Sequence, residues 1–266
     1  ETEDFEFRAL SRPGPRRKYV VQYQETDFAF LSRLLEDEGI FYFFDHGDGK
    51  DRVVFSDQAS AFPACLTPRV PYGPRGEQDT ETSNFPRECV TDFSCRRFPL
   101  PKEVVLRDYA PETPSVDLRV TATVDPAGRG TCYYYGEHYV NKKEGQEYAN
   151  IRAEEILCRR AQFPGSGNVG SFQAGRTFRL VEHPRRDLNT EYVIAEVSLH
   201  AGEGEFRSEF LAIPSTAPFR PARVTPKPRI SGTMPAHIDA AGDDEYAKLD
   251  PEGRYRVRLP FDLSGR

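Results

Sequence analysis

The chain has no tryptophan, no CxxC pair, no long apolar run and no excess of positive charge. Each absence removes a class of protein. The longest apolar run, Ile40–Phe44, is five residues, far short of the roughly 20 that a helix needs to span a bilayer. A formal net charge of -6 over 266 residues argues against a general nucleic-acid binder, which needs a basic face to displace counterions. The first ten residues are acidic and mixed, beginning with Glu1, so no secretory signal peptide is read there. Without an initiator Met, the chain is expected to begin inside a longer polypeptide.

Cysteine is sparse and unpaired. Cys65, Cys89, Cys95, Cys132 and Cys158 are odd in number and widely spaced, which argues against a disulfide framework in a chain this long. Structural zinc sites bring paired Cys or His ligands at short spacing, and none occurs. The expectation is reduced, mostly buried thiols in a reducing compartment.

Aromatic residues are abundant: 13 Tyr and 19 Phe make up 12% of the chain, too much apolar surface for a disordered segment. Phe and Tyr favour strands, while 22 Pro and 20 Gly predict many turns. The fold class expected is mainly β with a few helices (α+β).

Lys18–Tyr23 reads as a strand. Thr26 can cap a helix over about 26–38, with Asp27 favoured by the dipole in its first turn. Phe28, Leu31, Leu34 and Leu35 recur at helical spacing as one buried stripe, and Gly39 supplies the left-handed stop. Glu36 and Glu38 sit at the wrong end for the dipole, so salt contacts or solvent must offset them. Ile40–Asp45 and Arg52–Ser56 flank a glycine-rich turn and predict a hairpin. This portion, 1–62, is expected to be part of an α/β domain.

Pro63–Pro86 reads as a connection between domains. Strands are then expected at Glu88–Cys95, Glu103–Tyr109, Asp117–Val124, Thr131–Val140, Thr177–Glu182, Glu191–His200 and Glu205–Ile213. A helix from about Glu144 to Arg160 interrupts them, with Tyr148, Ile151, Ile156 and Leu157 inward and a Glu155–Arg159 pair. Residues 87–214 thus predict a sheet or barrel with one packed helix. The five prolines between Pro214 and Pro228 predict a stiff linker at 215–228. Beyond it, 229–266 carries two strands, Arg229–Ile238 and Tyr255–Phe261, too few for a stable unit alone.

No stretch assembles a reaction centre. Gly165, Gly167 and Gly170 spell GxGxxG, but a dinucleotide fingerprint follows a strand and opens a helix; here the order is reversed, and a flexible connection is expected. Asp45, Asp48 and Asp51 are spaced by three, unlike a calcium loop. His46, His138, His183, His200 and His237 form no HExxH. His183 with Asp187 lacks a GxSxG nucleophile. Glu154/Glu155 and Asp243/Asp244 are adjacent, so they do not face one another as acid and base. The clusters Pro184-Arg185-Arg186 and Arg220-Pro221-Ala222-Arg223 read as polar linkers or interface rims. No residue is assigned as catalytic, cofactor-binding or metal-ligating.

Several segments resemble the VgrG family, the spike proteins of type VI secretion systems. Tyr19–His46 resembles the signature YxVQYxETDxxFLxRLxEEEGIxYxFEH. Arg107-Asp108-Tyr109, Tyr133–Glu137, Glu144-Gly145 with Ala149 and Arg152, Gly175–Leu180, His183-Pro184 and Asn189–Tyr192 continue the likeness in order. Phe219–Gly232 resembles the linker entering the spike's OB-fold, and Asp250, Gly253-Arg254 and Val257 match its GRVxVxF strand. Leu259-Pro260-Phe261-Asp262 stands where the family often has FHWD, so Phe261 takes the place of a Trp.

The resemblance implies phage baseplate hub-like barrels followed by the start of an OB-fold, with the needle and the N-terminal part of the first barrel outside this chain. It implies a non-enzymatic trimer that caps the tube and punctures target envelopes to deliver effectors. The partners implied are two further copies, the Hcp tube ring, baseplate proteins and a PAAR tip protein, with no cofactor and no nucleic acid. The target membrane is contacted mechanically. Assembly in the bacterial cytoplasm and delivery without a signal peptide follow. Two alternatives stand beside it: the hub of a contractile phage or related particle, and a cell-wall or lipid hydrolase whose catalytic part lies elsewhere. A carbohydrate- or nucleic-acid-binding OB segment would need a basic aromatic face, whereas Asp239, Asp243, Asp244 and Glu245 make that loop acidic.

Overall fold

The computed structural model describes residues 4–15, 17, 19–47, 49–73, 88–202, 205–239 and 249–262. Two compact units divide the chain, Glu1–Pro226 and Lys227–Arg266.

The first unit opens with strand β1 (Phe5–Phe7), helix α1 (Asp27–Glu38) and the hairpin β2 (Phe41–Asp45) and β3 (Arg52–Ser56). There follow β4 (Ala64–Pro71), β5 (Val90–Phe93), β6 (Arg96–Arg97), β7 (Glu103–Arg107), β8 (Val120–Thr123) and β9 (Thr131–Tyr135). Helix α2 (Lys142–Leu157), β10 (Ala161–Gly167), β11 (Thr177–Val181), β12 (Glu191–Gly202) and β13 (Glu205–Pro214) complete it. In the second unit β14 (His237–Ile238) pairs antiparallel with β15 (Val257–Arg258). Each holds two residues, where longer strands are expected, and residues 240–248 of the intervening loop lie outside the described set.

The largest sheet runs β4-β11-β12-β13-β10-β5, with β6 on β10. Its two ends meet, because Tyr72, next after β4, bridges Val90 in β5 and the Gly73 N–H donates to the Val90 carbonyl at 3.0 Å. The sheet therefore closes on itself. Phe93, Phe163, Phe172, Phe178, Tyr192 and Phe210 fill its interior. Phe93 stacks on Phe163 with ring centroids 5.5 Å apart, and Phe172 meets Phe210 edge-on at 4.9 Å.

Two expectations change here. The first part of the supposed connection is β4, paired in parallel with β11 and completing the ring; its prolines conceal a strand. The GxGxxG segment is no flexible connection either, since Gly165 and Gly167 lie in β10 between β13 and β5. A Cβ on Gly165 would stand 2.5 Å from Phe210 Cζ, so the small residue makes room for the aromatic core.

The stretch 87–214 also contains a second sheet, β8-β7-β9, with α2 packed on it. Asn141 caps α2, its Oδ1 accepting the Glu144 N–H at 2.9 Å, so the helix starts earlier than its hydrophobic pattern shows. Tyr148 and Ile151 are buried, whereas Ile156 and Leu157 are half-buried. The Glu155 carboxylate pairs with Arg152 at 2.6 Å, not with Arg159, whose guanidinium donates to the Glu155 carbonyl instead.

The third sheet runs β1-β3-β2, and α1 leads into it through Gly39. Thr26 Oγ1 accepts the Ala29 N–H at 3.2 Å and Gly39 ends the helix at φ 69°, as the capping chemistry predicts. The buried face of α1 is not the predicted one. Ser32, Glu36 and Glu38 are buried, while Phe28 is 63% and Leu31 43% exposed. Tyr19–Tyr23 is not a strand: the free edge of β3 is taken in parallel by β1, from a segment whose acidic composition disguised it.

Candidate functional site

The chemistry-bearing residues considered in the sequence lie in separate contacts where they are described. Asp45 pairs with Arg176 at 2.6 Å and Asp51 with His46 at 2.6 Å, while Asp48 lies outside the described residues. Asp187 is held by Arg185 at 2.7 Å, and that hydrogen bond pulls its carboxyl below the ordinary range. His183 turns elsewhere: its Nδ1 accepts the Arg185 N–H at 3.0 Å and its ring lies 4.2 Å from that of Tyr72. Glu154 and Glu155 bind different arginines. Asp243 and Asp244 are outside the described set. Among the described residues no cluster of three metal-ligating side chains forms, and no helix is long and apolar enough to cross a membrane.

What the fold does assemble is a buried charge network at the C-terminal end of α1. Orphan carbonyls and the negative end of the dipole meet there. Arg152 of α2, 1% exposed, donates to the carbonyls of Glu36 at 3.1 Å and Asp37 at 2.5 Å. Burial draws Arg152 below its ordinary pKa, nearby Arg223 adds to this, and Glu155 opposes it. Glu38 receives Arg12 at 2.6 Å, Arg17 at 2.8 Å and the Tyr148 hydroxyl at 3.2 Å. For Glu38 the offset that an acid at a helix C-terminus demands is thus salt contact, supplied from distant parts of the chain; for Glu36 it is neutral hydrogen bonds.

The proline-rich segment completes the network. Phe219 inserts beside Phe41 and Phe62, with centroids at 5.3 and 5.8 Å. Arg220, 8% exposed, binds Glu154 at 2.7 Å and donates to the Gly39 carbonyl at 3.0 Å. Arg223 binds Glu137 at 2.7 Å and lies over the Tyr134 ring at 5.3 Å. The N–H groups of Val224 and Thr225 donate to Glu36 Oε2 at 3.1 and 3.0 Å, and the Thr225 hydroxyl to Oε1 at 2.7 Å. The stretch expected as a stiff linker over 215–228 is thus docked on the body at Phe219–Thr225, and Arg220 and Arg223, expected in a polar linker or interface rim, are held by acids: Pro-rich chain lacks ladder donors, yet these side chains find partners. The acids on a helix end and the arginines among prolines were the only sequence signal.

A second feature is an aromatic face left exposed by the described residues. In the β1-β3-β2 register Phe5 aligns with Val53 and Phe44, and Phe7 with Phe55 and Tyr42. Alternation turns Phe41 and Phe43 inward and this set to the opposite face, where Phe7 and Tyr42 cover a buried Phe55. Phe5 is 48%, Phe7 63% and Phe44 46% exposed. Phe28 of α1 extends the patch, edge-on to Tyr42 at 6.0 Å. Contiguous aromatic surface of this kind marks an interaction site.

A family model described as phage tail baseplate hub (GPD) matches residues 1–205. The chain is 33% identical over 276 aligned residues to the type VI secretion system spike protein VgrG1c of Pseudomonas aeruginosa, covering 97% of this chain and 37% of that protein. It is 32% identical to VgrG1a of the same organism, with 97% and 42% covered. It therefore spans less than half the length of these relatives. Among solved structures, the c3393 protein of E. coli superposes with a TM-score of 0.64 at 25% identity, covering 98% of this chain and 56% of that one. That protein is described as a component of the type VI secretion system with structural similarity to the T4 bacteriophage tail proteins gp27 and gp5. A 43 kDa prophage tail protein from Shewanella oneidensis shares the fold, with a TM-score of 0.57 at 12% identity over 81% of this chain and 61% of that one. A closed β-sheet, a helix-backed second sheet and a match over residues 1–205 agree: the chain belongs to the phage tail baseplate hub family.

Proposed function

We propose that this chain is the hub portion of a type VI secretion spike, a structural and non-catalytic part of a homotrimer. The observation that carries the reading is the 33% identity to a VgrG spike protein over 97% of the chain; the 12% identity to a prophage tail protein supports the shared fold but favours the phage-hub alternative less. In this reading three copies cap the Hcp tube on the baseplate, a PAAR tip and effectors ride ahead, and the target envelope is punctured mechanically. Assembly takes place in the bacterial cytoplasm, and delivery needs no signal peptide. The aromatic face over Phe5, Phe7, Tyr42 and Phe44 is the surface whose burial would help drive assembly, because apolar area removed from water contributes roughly 25 cal/mol per Å².

One relative, the actin cross-linking toxin VgrG1 of Vibrio cholerae, is covered over only 24% of its length. Any enzymatic activity of this protein's own is placed outside the hub portion, and residues 229–266 are read as the start of an OB-fold.

Light scattering on the chain completed to the length of its relatives tests the proposal. A mass of three protomers is expected, and Phe7→Ser with Phe44→Ser should weaken it while leaving circular dichroism unchanged. A stable monomer at tens of micromolar that binds the tube protein in no stoichiometry would overturn it.

A further inference from the structure

The segment Phe219–Thr225 raises a question that membership of the family does not answer. It leads from the body to the second unit, which starts at Lys227, yet it belongs to no strand. Its hold on the body is made of side-chain contacts. Glu36 accepts three bonds from Val224 and Thr225, Glu137 holds Arg223, Glu154 holds Arg220, and Phe219 is the apolar anchor. No ladder bond ties the segment to a sheet, so it can leave the body without disturbing any strand pairing. Its holds fall within seven consecutive residues, and a segment this short opens as a unit of its own within a stable body.

We infer that Phe219–Thr225 is a releasable latch, which lets go as one unit while the three sheets remain folded. Latched, it sets where the chain leaves the body. Released, its seven residues supply up to about 25 Å of extended slack ahead of Lys227. Such a segment yields before the sheets do when the chain is pulled. This inference concerns the fold and stands whether or not the spike reading holds.

Trypsin reads the latch directly. Arg220 and Lys227 precede prolines and resist cleavage, so Arg223–Val224 is the tryptic bond inside the segment, and Arg229–Ile230, beyond it, is an internal reference. Cleavage under native conditions tracks the population of the open form when opening is fast. Glu36→Gln is expected to raise cleavage at Arg223–Val224 at least tenfold relative to Arg229–Ile230, with near-ultraviolet circular dichroism unchanged. Glu137→Gln, which loosens Arg223 from another element, should act in the same direction and guards against a folding defect in the first variant. Low urea should accelerate native cleavage far less steeply than it promotes global unfolding. Equal cleavage at Arg223–Val224 in wild type and both variants would overturn the inference. So would acceleration that follows global unfolding in its urea dependence.

Discussion

Arg152 is the residue on which the network at the end of α1 depends most. Replacing it by Met keeps most of the volume and removes the charge. Two carbonyls, of Glu36 and Asp37, lose their donor, and the Glu155 carboxylate, 17% exposed, loses its arginine at 2.6 Å while keeping the Arg223 N–H at 3.2 Å and its guanidinium at 3.6 Å. Among the described residues Nε has no partner, so its removal breaks no further hydrogen bond. Each orphaned buried carbonyl costs about 1–3 kcal/mol, and removing one member of a buried ion pair costs about 3–5 kcal/mol. Relief from desolvating Arg152, whose pKa burial lowers, offsets part of that sum, leaving roughly 3–5 kcal/mol of destabilisation. With an m-value near 3 kcal/mol/M, urea unfolding should then reach its midpoint about 1–1.7 M earlier. Arg152→Lys should recover less than half, because one ammonium on a shorter arm cannot serve two carbonyls and a carboxylate together. Adding Glu155→Gln to Arg152→Met should cost clearly less than the sum of the single changes. A midpoint shift below about 0.3 M for Arg152→Met at unchanged m would refute the argument.

Three further outcomes follow from the same contacts. Gly39→Ala should destabilise by about 2–4 kcal/mol in urea melts, because Gly39 has φ 69° and its Cβ would lie 2.6 Å from Ile151 Cγ2; a neutral result would mean that α2 yields. Burial, above all, raises Tyr139 and Tyr192 to about 12; the folded chain keeps these protons where the unfolded chain has lost them, so stability should fall as pH rises from about 10 to about 12. Tyrosinate absorbance followed with circular dichroism should show these rings ionising with unfolding, and full ionisation near pH 10 in a folded chain would contradict it. Burial raises the Cys65 thiol to about 11, so a disulfide reagent at pH 8 should label half-buried Cys95 and Cys132 first and reach Cys65 only on denaturation.

Local chemistry was legible where neighbours in sequence are neighbours in space. The Thr26 cap, the Gly39 stop and the Phe41–Ser56 hairpin need only short-range bonds. β4 and β1 were missed for a different reason: each pairs in parallel with a strand remote in sequence, and a proline-rich or acidic segment becomes a strand only when that partner edge is present. The burial of α1 departs from its apolar stripe, with Leu34 and Leu35 half-buried but Phe28 and Leu31 exposed, because periodicity reports a polar and an apolar side, not what lies opposite. Here the opposing surface is arginines and the Phe219–Thr225 segment, while Phe28 lies beside Tyr42 and Leu31 is exposed.

The sequence by itself determined a mainly β chain without a reaction-centre motif, its helix ends, its hairpin and, through the Tyr19–His46 signature, the family. Those properties rest on composition and on contacts within a few residues. Only the tertiary structure decided that the sheet closes at Tyr72 and Val90. It alone brought Glu36, Arg152, Arg220 and Arg223 into one network and left Phe5, Phe7 and Phe44 exposed among the described residues. Those outcomes depend on which distant surfaces meet, and charges and aromatic rings acquire their roles only from the partners that burial assigns them.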